Sequence, residues 1–168
     1  MPLPGGPAGK VGIRYERSWT VLQMLRILEG TAERIRIEPP GAAGEGFEFR
    51  LDTPEGVEWH QVKRQLPSDS WTVAALAKEG VLRHFGPRLR AGERCVFVSQ
   101  VAAERLRELA DRSRLSFEEF LAEGLKGGRD QEFGYCKREW AEGDDYAVYR
   151  LLQFISIETI SERSLKSW

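Results

Sequence analysis

A chain of 168 residues, 41% hydrophobic and 30% charged, has the size and balance of one globular domain with a proper core. Its formal net charge of −1 gives nucleic acid no bulk electrostatic hold, so any such contact must come from a local patch. Only two cysteines, Cys95 and Cys136, are present and far apart, which excludes a disulfide framework or a paired-cysteine metal motif. No apolar run approaches a membrane span and no signal-peptide core opens the chain, so the expected compartment is the cytoplasm.

Residues 1–11, rich in Pro and Gly, read as a flexible arm, leaving 12–168 as a single domain. Trp19, Leu22, Leu25 and Leu28 recur at helical spacing, widened by Met24 and Ile27. They predict a first helix from about Tyr15 to Glu29 with Gly30 as its stop. Arg34 to Glu38 alternates charge with isoleucine and reads as a strand ended by Pro39-Pro40. A Gly-rich link, 41–46, leads into FEFRLDTPEGVEWHQVKR, residues 47–64. There, two alternating runs flank the turn cluster Thr53-Pro54-Glu55-Gly56, the pattern of a β-hairpin. A four-residue turn sets Asp52 opposite Val57 and therefore Glu48 opposite Gln61. By period-two alternation Glu48, Gln61 and Lys63 then share one face, with Phe47, Phe49, Leu51, His60 and Val62 on the other.

Beyond the hairpin, Gln65 to Ser70 reads as a polar loop with Ser68 or Ser70 as N-cap. A helical pattern follows through Trp71, Leu76, Val81 and Phe85, interrupted near Gly80. Arg94 to Ser99 is a short apolar strand, in which a buried, inert Cys95 is expected. A helix through Leu106 and Leu109 comes next. Ser116 and Glu119 form a capping box, with Leu115 and Phe120 as a hydrophobic staple, and the helix they start runs to about Leu125. Two more helices about Gly143-Asp144-Asp145 and a β-like run, Phe154 to Ile160, complete the elements. The end at Lys166-Ser167-Trp168 looks like mid-helix, and the expectation is the N-terminal part of a longer protein. These elements predict an α/β domain with a central mixed sheet flanked by helices.

A carboxylate facing Gln-x-Lys across neighbouring strands is a recognisable piece of chemistry. Carboxylate and amide oxygens are hard ligands for Mg²⁺, and a lysine ammonium can orient water or stabilise charge on a phosphate. IEP, GEGFEFRL and EWHQVKR resemble the PD-(D/E)xK nuclease superfamily in its Gln-x-Lys branch. More narrowly, they resemble the double-stranded-DNA endonuclease domain at the N-terminus of bacterial anti-phage proteins. The resemblance covers roughly residues 12 to 112. It implies a restriction-endonuclease-like core and an endodeoxyribonuclease that uses Mg²⁺ or Mn²⁺. It further implies an effector that oligomerises when C-terminal sensor domains detect infection.

Carried over by motif, Lys63 is the catalytic lysine, Gln61 the polar ligand before it, and Glu48 the acid where many members have Asp. Glu38, ending the first strand, and Glu16, at the first helix, match auxiliary acids of the metal site. Asp52 reads as a solvated acid beside the turn, Glu45 competes with Glu48 from the link, and His60 reads as a packed or partly exposed residue rather than a ligand. Arg64 is a candidate phosphate contact, and the run Arg83, His84, Arg88, Arg90, Arg94 a candidate DNA-backbone footprint. Trp71 is expected to pack beneath the site. On their own, Gln61 and Lys63 also fit a solvated strand face. The competing functional reading, with Glu48 marking a decayed site, is a non-catalytic DNA-binding or oligomerisation module.

Overall fold

The computed structural model describes residues 7–42, 44–64, 70–140, 143–161 and 164–165, with side chains from residue 14 onward. The first helix, α1 (Pro7–Leu28), begins earlier than the Pro/Gly pattern implied, so residues 7–11 belong to a helix and not to an arm. Proline is well suited to a helix's first turn, where its missing N–H would have no partner anyway. Residues 1–6 of the expected arm lie outside the described residues. Gly30, at φ +74°, ends the helix region as expected.

The strands β1 (Arg34–Ile37), β2 (Phe49–Thr53), β3 (Gly56–Lys63), β4 (Arg94–Ser99) and β5 (Ile155–Thr159) lie side by side in chain order. β1, β2 and β3 form an antiparallel meander, and β3, β4 and β5 are parallel. The parallel half needs helical crossovers, and the chain supplies them. α2 (Val73–Lys78) and α3 (Val81–Arg90) join β3 to β4. From β4 to β5 run α4 (Glu104–Arg112), α5 (Phe117–Glu119) with its π-helical continuation (Phe120–Gly124), α6 (Arg129–Trp140) and α7 (Asp145–Leu152). The result is an α/β domain with a mixed sheet covered by helices on both faces.

α1 covers one face, where Tyr15, Trp19, Phe49, Leu51, Val62, Val96 and Val98 are buried together, with Ile160 and Leu165 packed against them. The other face carries the larger core. Trp59, Cys95, Phe97 and Ile155 of the sheet pack there against Leu82, Phe85, Leu106, Phe133, Trp140 and Leu152. Burial pushes the thiol of Cys95 well up, in keeping with an inert residue. α2 is capped by Thr72, whose hydroxyl accepts from Ala75 N–H at 3.1 Å, so Ser70 is not the cap, and Ser68 lies outside the described residues. Gly80, at φ +76°, makes the expected break between α2 and α3. The Ser116–Glu119 capping box is present. Its staple partner Leu115 is 38% exposed while Phe120 is buried.

The buried stripe of α1 is rotated from the leucines that predicted it, leaving Leu25 39% and Leu28 83% exposed. Polar contacts turn the helix. Trp19 Nε1–H donates to His60 Nδ1 at 3.2 Å, His60 Nε2 meets Glu58 at 3.1 Å, and Arg26 pairs with Glu58 at 2.8 Å and reaches Gln23 at 3.1 Å. His60 is therefore a packed residue held neutral by burial, which outweighs the opposing Glu58 charge. Burial alone would raise the Glu58 carboxyl, but His60 and Arg26 outweigh it and pull it down to about 2. A carboxyl lowered by folding contributes stability that is full above its ordinary value of 4.5 and is lost as pH falls toward 2. Glu58→Gln is expected to flatten the acid limb of a stability–pH curve between those values. Denaturant unfolding at pH 6 and pH 3 measures it, and an unchanged acid limb would remove Glu58 from the account.

Candidate active site

The site lies where β3 outruns β2. The β2–β3 ladder follows the expected register, Asp52 with Val57 through Phe49 with His60. β3 then continues against β4 alone, pairing Gln61 with Phe97 and Lys63 with Ser99. At Glu48 the ladder slips. Its N–H donates at 3.0 Å to His60 O, one residue short of the Gln61 partner that alternation required. Such a slip, like a β-bulge, re-aims side chains at the end of a strand.

Two corrections follow from it. Parity is inverted before Phe49, so Phe47 sits on the larger-core face, stacked with Phe85 at 5.9 Å and against Trp59 at 5.2 Å. The Glu48 carboxylate, in turn, does not lie across a face from Gln61. It takes the ladder position itself, accepting the Val62 N–H at 2.5 Å, and so stands between Gln61 and Lys63 along β3. The Glu48 carbonyl accepts Glu38 N–H at 2.8 Å, which fixes the residue on its β1 side too.

Burial raises the Glu48 carboxyl to about 8 against the Val62 hydrogen bond, with the charge of Glu16 adding and that of Lys63 opposing. Glu16, well inside α1, is raised by burial and lowered by Lys63. These mutual influences place Glu16, Glu48 and Lys63 in one electrostatic cluster at the sheet's open end. Gln61 is 0% exposed, and both its amide oxygen and nitrogen lack a hydrogen-bond partner among the described residues. A buried amide left unpaired costs about 1–3 kcal/mol, so its presence calls for a partner that arrives from outside.

Trp71 packs on β4 next to the strand that carries these residues. Its Nε1–H donates to Ser99 Oγ at 2.7 Å and its ring meets Phe97 edge-on at 5.5 Å, both residues being β4 neighbours of Lys63 and Gln61.

Among the described residues no three His, Cys, Asp or Glu side chains form a ready metal cage. The donor set nonetheless suits a hard divalent cation. Glu48, Glu16 and the orphaned Gln61 oxygen are oxygen donors, and Mg²⁺ commonly takes one or two carboxylates and fills its shell with water and phosphate. A cation there would give the unpaired amide oxygen a partner and favour the ionised form of Glu48 against the burial that raises it.

The comparisons with known proteins add little to this geometry. No protein-family model matches the chain, and no curated protein matches it. One solved structure is similar, the MspJI restriction endonuclease in complex with a 27-mer oligonucleotide, at 15% identity and a TM-score of 0.36. The match covers all of this chain and 41% of that one. A likeness so slight carries no functional weight.

The remaining expected residues divide. Glu38 is exposed at the end of β1, at φ +44°. Asp52 is paired with Arg50 at 2.8 Å beside the turn, and Glu45 is exposed in the link. Arg64 follows Lys63, half-buried. The basic run is not one footprint. Arg88 lies over the Trp59 ring at 5.0 Å and pairs with Glu93 at 3.4 Å, and Arg90 donates to the Trp140 carbonyl at 2.5 Å. Both guanidinium groups are committed inside the domain. Arg94 is exposed at the N-terminal end of β4, the other end of the parallel ladder from Ser99 and Lys63, and Arg83 is exposed on α3.

One feature the sequence pattern did not single out is the contact of Gly46 with His84. At Gly46, φ +82°, an added Cβ would stand 2.1 Å from His84 Nδ1. Gly46→Ala combines a left-handed backbone with this overlap and is expected to destabilise by about 2 kcal/mol or more. The shift in thermal midpoint measures it, and a neutral result would mean that the loop has room to move.

Proposed function

We propose that this domain is a metal-dependent endonuclease that hydrolyses phosphodiester bonds in double-stranded DNA, with a restriction-endonuclease-like core. The carrying observation is the cluster of Glu16, Glu48 and Lys63 at the end of β3, beside a buried Gln61 amide that has no partner. Oxygen donors near one ammonium, where strand pairing stops, suit metal-assisted cleavage of a phosphodiester.

Glu48, Gln61 and Glu16 would hold Mg²⁺ or Mn²⁺, which when bound supplies Lewis-acid polarisation of the phosphate and a more acidic water. Lys63 would hold the attacking water in line and balance the charge that grows on the phosphate. The Val62 N–H keeps the Glu48 carboxylate aimed along β3, so the acid cannot swing away from Lys63. Burial of Gln61 holds its side chain at this end of β3, with both polar atoms of the amide free of hydrogen-bond partners among the described residues. The motif resemblance supports a role as the effector of a bacterial anti-phage protein, brought together as a homo-oligomer by its sensor domains. It also supports action on DNA in the cytoplasm. Among the described residues, no helix is long and apolar enough to cross a membrane.

The test is incubation of supercoiled plasmid with purified protein, at concentrations that favour self-association, with Mg²⁺, with Mn²⁺ and with EDTA. Nicked and linear DNA in the metal lanes alone is the expected result. Among the described residues no three His, Cys, Asp or Glu side chains come together, which favours the second reading, a non-catalytic DNA-binding module. Plasmid retardation without any cleavage in either metal would establish that reading instead.

A further inference from the structure

α3 brings another polar group toward this site, one that the hydrolysis chemistry above does not use. His84 lies flush against the turn that leads into Glu48, with Gly46 leaving only the clearance that a missing side chain provides. Its Nδ1 is buried and has no hydrogen-bond partner among the described residues, whereas Nε2 is not among the buried atoms. A buried lone pair is tolerated better than a buried N–H without an acceptor, so the proton belongs on Nε2, the nitrogen that faces out. Burial, with Arg83 and Lys63 acting in the same direction and Glu45 against them, keeps the ring neutral. His84 is thus a fixed, neutral donor within electrostatic reach of Lys63. Arg83 lies exposed next to it, while Arg88 and Arg90 of the same helix are committed elsewhere.

We propose that His84 is a substrate-contacting residue, its Nε2–H donating to a non-bridging oxygen of a DNA phosphate held between α3 and the end of β3. The inference rests on the nuclease reading for its ligand, and it adds to the site a residue of α3 packed on the turn that leads into Glu48. Gly46 is part of it, because any side chain there would push the imidazole off the turn.

Binding of a short fluorescein-labelled duplex, followed by anisotropy in EDTA so that no cleavage occurs, tests the contact. His84→Ala should weaken binding about tenfold, the worth of one hydrogen bond to a charged acceptor. His84→Gln, whose amide N–H₂ can reach the position of Nε2, should stay within about twofold of wild type, allowing for a small loss in geometry. A purely packing role would lower the thermal midpoint in both variants and leave binding by the folded protein unchanged. Unchanged affinity in His84→Ala, or equal loss in both variants, would overturn the proposal. Wild-type protein that cleaves while His84→Ala binds normally would sink this inference alone. Binding that depends on His84 without cleavage in any metal would leave the contact standing and remove the hydrolysis.

Discussion

Lys63→Ala is expected to reduce metal-dependent cleavage of duplex DNA by about 10²–10³-fold, the usual cost of removing one preorganised charge-stabilising group. Lys63 ends β3 half-buried, and its charge is felt by both Glu16 and Glu48. Its removal leaves two acids with no cation between them, so a rise in metal affinity can accompany the loss of rate. That split, lower turnover at equal or lower metal requirement, separates Lys63 from a residue that merely supports the fold. The companion variant is better chosen as Glu48→Gln than as Glu48→Ala. The alanine would also leave the Val62 N–H without its acceptor, where the glutamine oxygen can keep that bond. Glu48→Gln is expected to lose cleavage with little change in thermal midpoint. Activity surviving in both variants would mean that the chemistry lies elsewhere on the molecule.

Much of this framework was legible because it is local. Thr53-Pro54-Glu55-Gly56 specifies a turn length, and the alternation on either side then sets the register from Asp52–Val57 to Phe49–His60. Ser116 and Glu119 announced their capping box from side-chain chemistry, and Gly80, which lacks a side chain, marked the interruption between α2 and α3. Parity fails at Glu48 because alternation assumes an unbroken ladder. The Gly46 turn and the slip at His60 lie just beyond the last regular pair. The slip still leaves the acid beside Lys63, by way of a backbone N–H that β2 no longer claims.

The basic run failed as a single patch for a different reason. The partners that occupy Arg88 and Arg90 come from other elements, Trp59 on β3 and Trp140 on α6, and sequence spacing holds no record of them. The burial of Gln23 was hidden in the same way, since it depends on Arg26 reaching Glu58 across 32 residues.

The orphaned Gln61 amide leads to a prediction of opposite sign to the usual core substitution. Gln61→Met keeps an unbranched side chain of similar length but replaces the unpaired oxygen and nitrogen with apolar atoms. In the metal-free protein this should stabilise by about 1–3 kcal/mol, the penalty of a buried polar group without a partner. For a domain of this size that is a rise in thermal midpoint of about 2–4 °C for each kcal/mol. Cleavage should be lost at the same time, because the oxygen that was expensive to bury is the one proposed to meet the cation. Added Mg²⁺ or Mn²⁺ should then raise the midpoint of wild type and narrow the gap, leaving Gln61→Met unmoved. Calorimetry of both proteins in EDTA and in metal reads all of these. A Gln61→Met protein less stable than wild type in EDTA would show that the amide already has a partner in solution, such as a buried water. It would then be a structural group, and the tension between stability and function at this position would vanish with it.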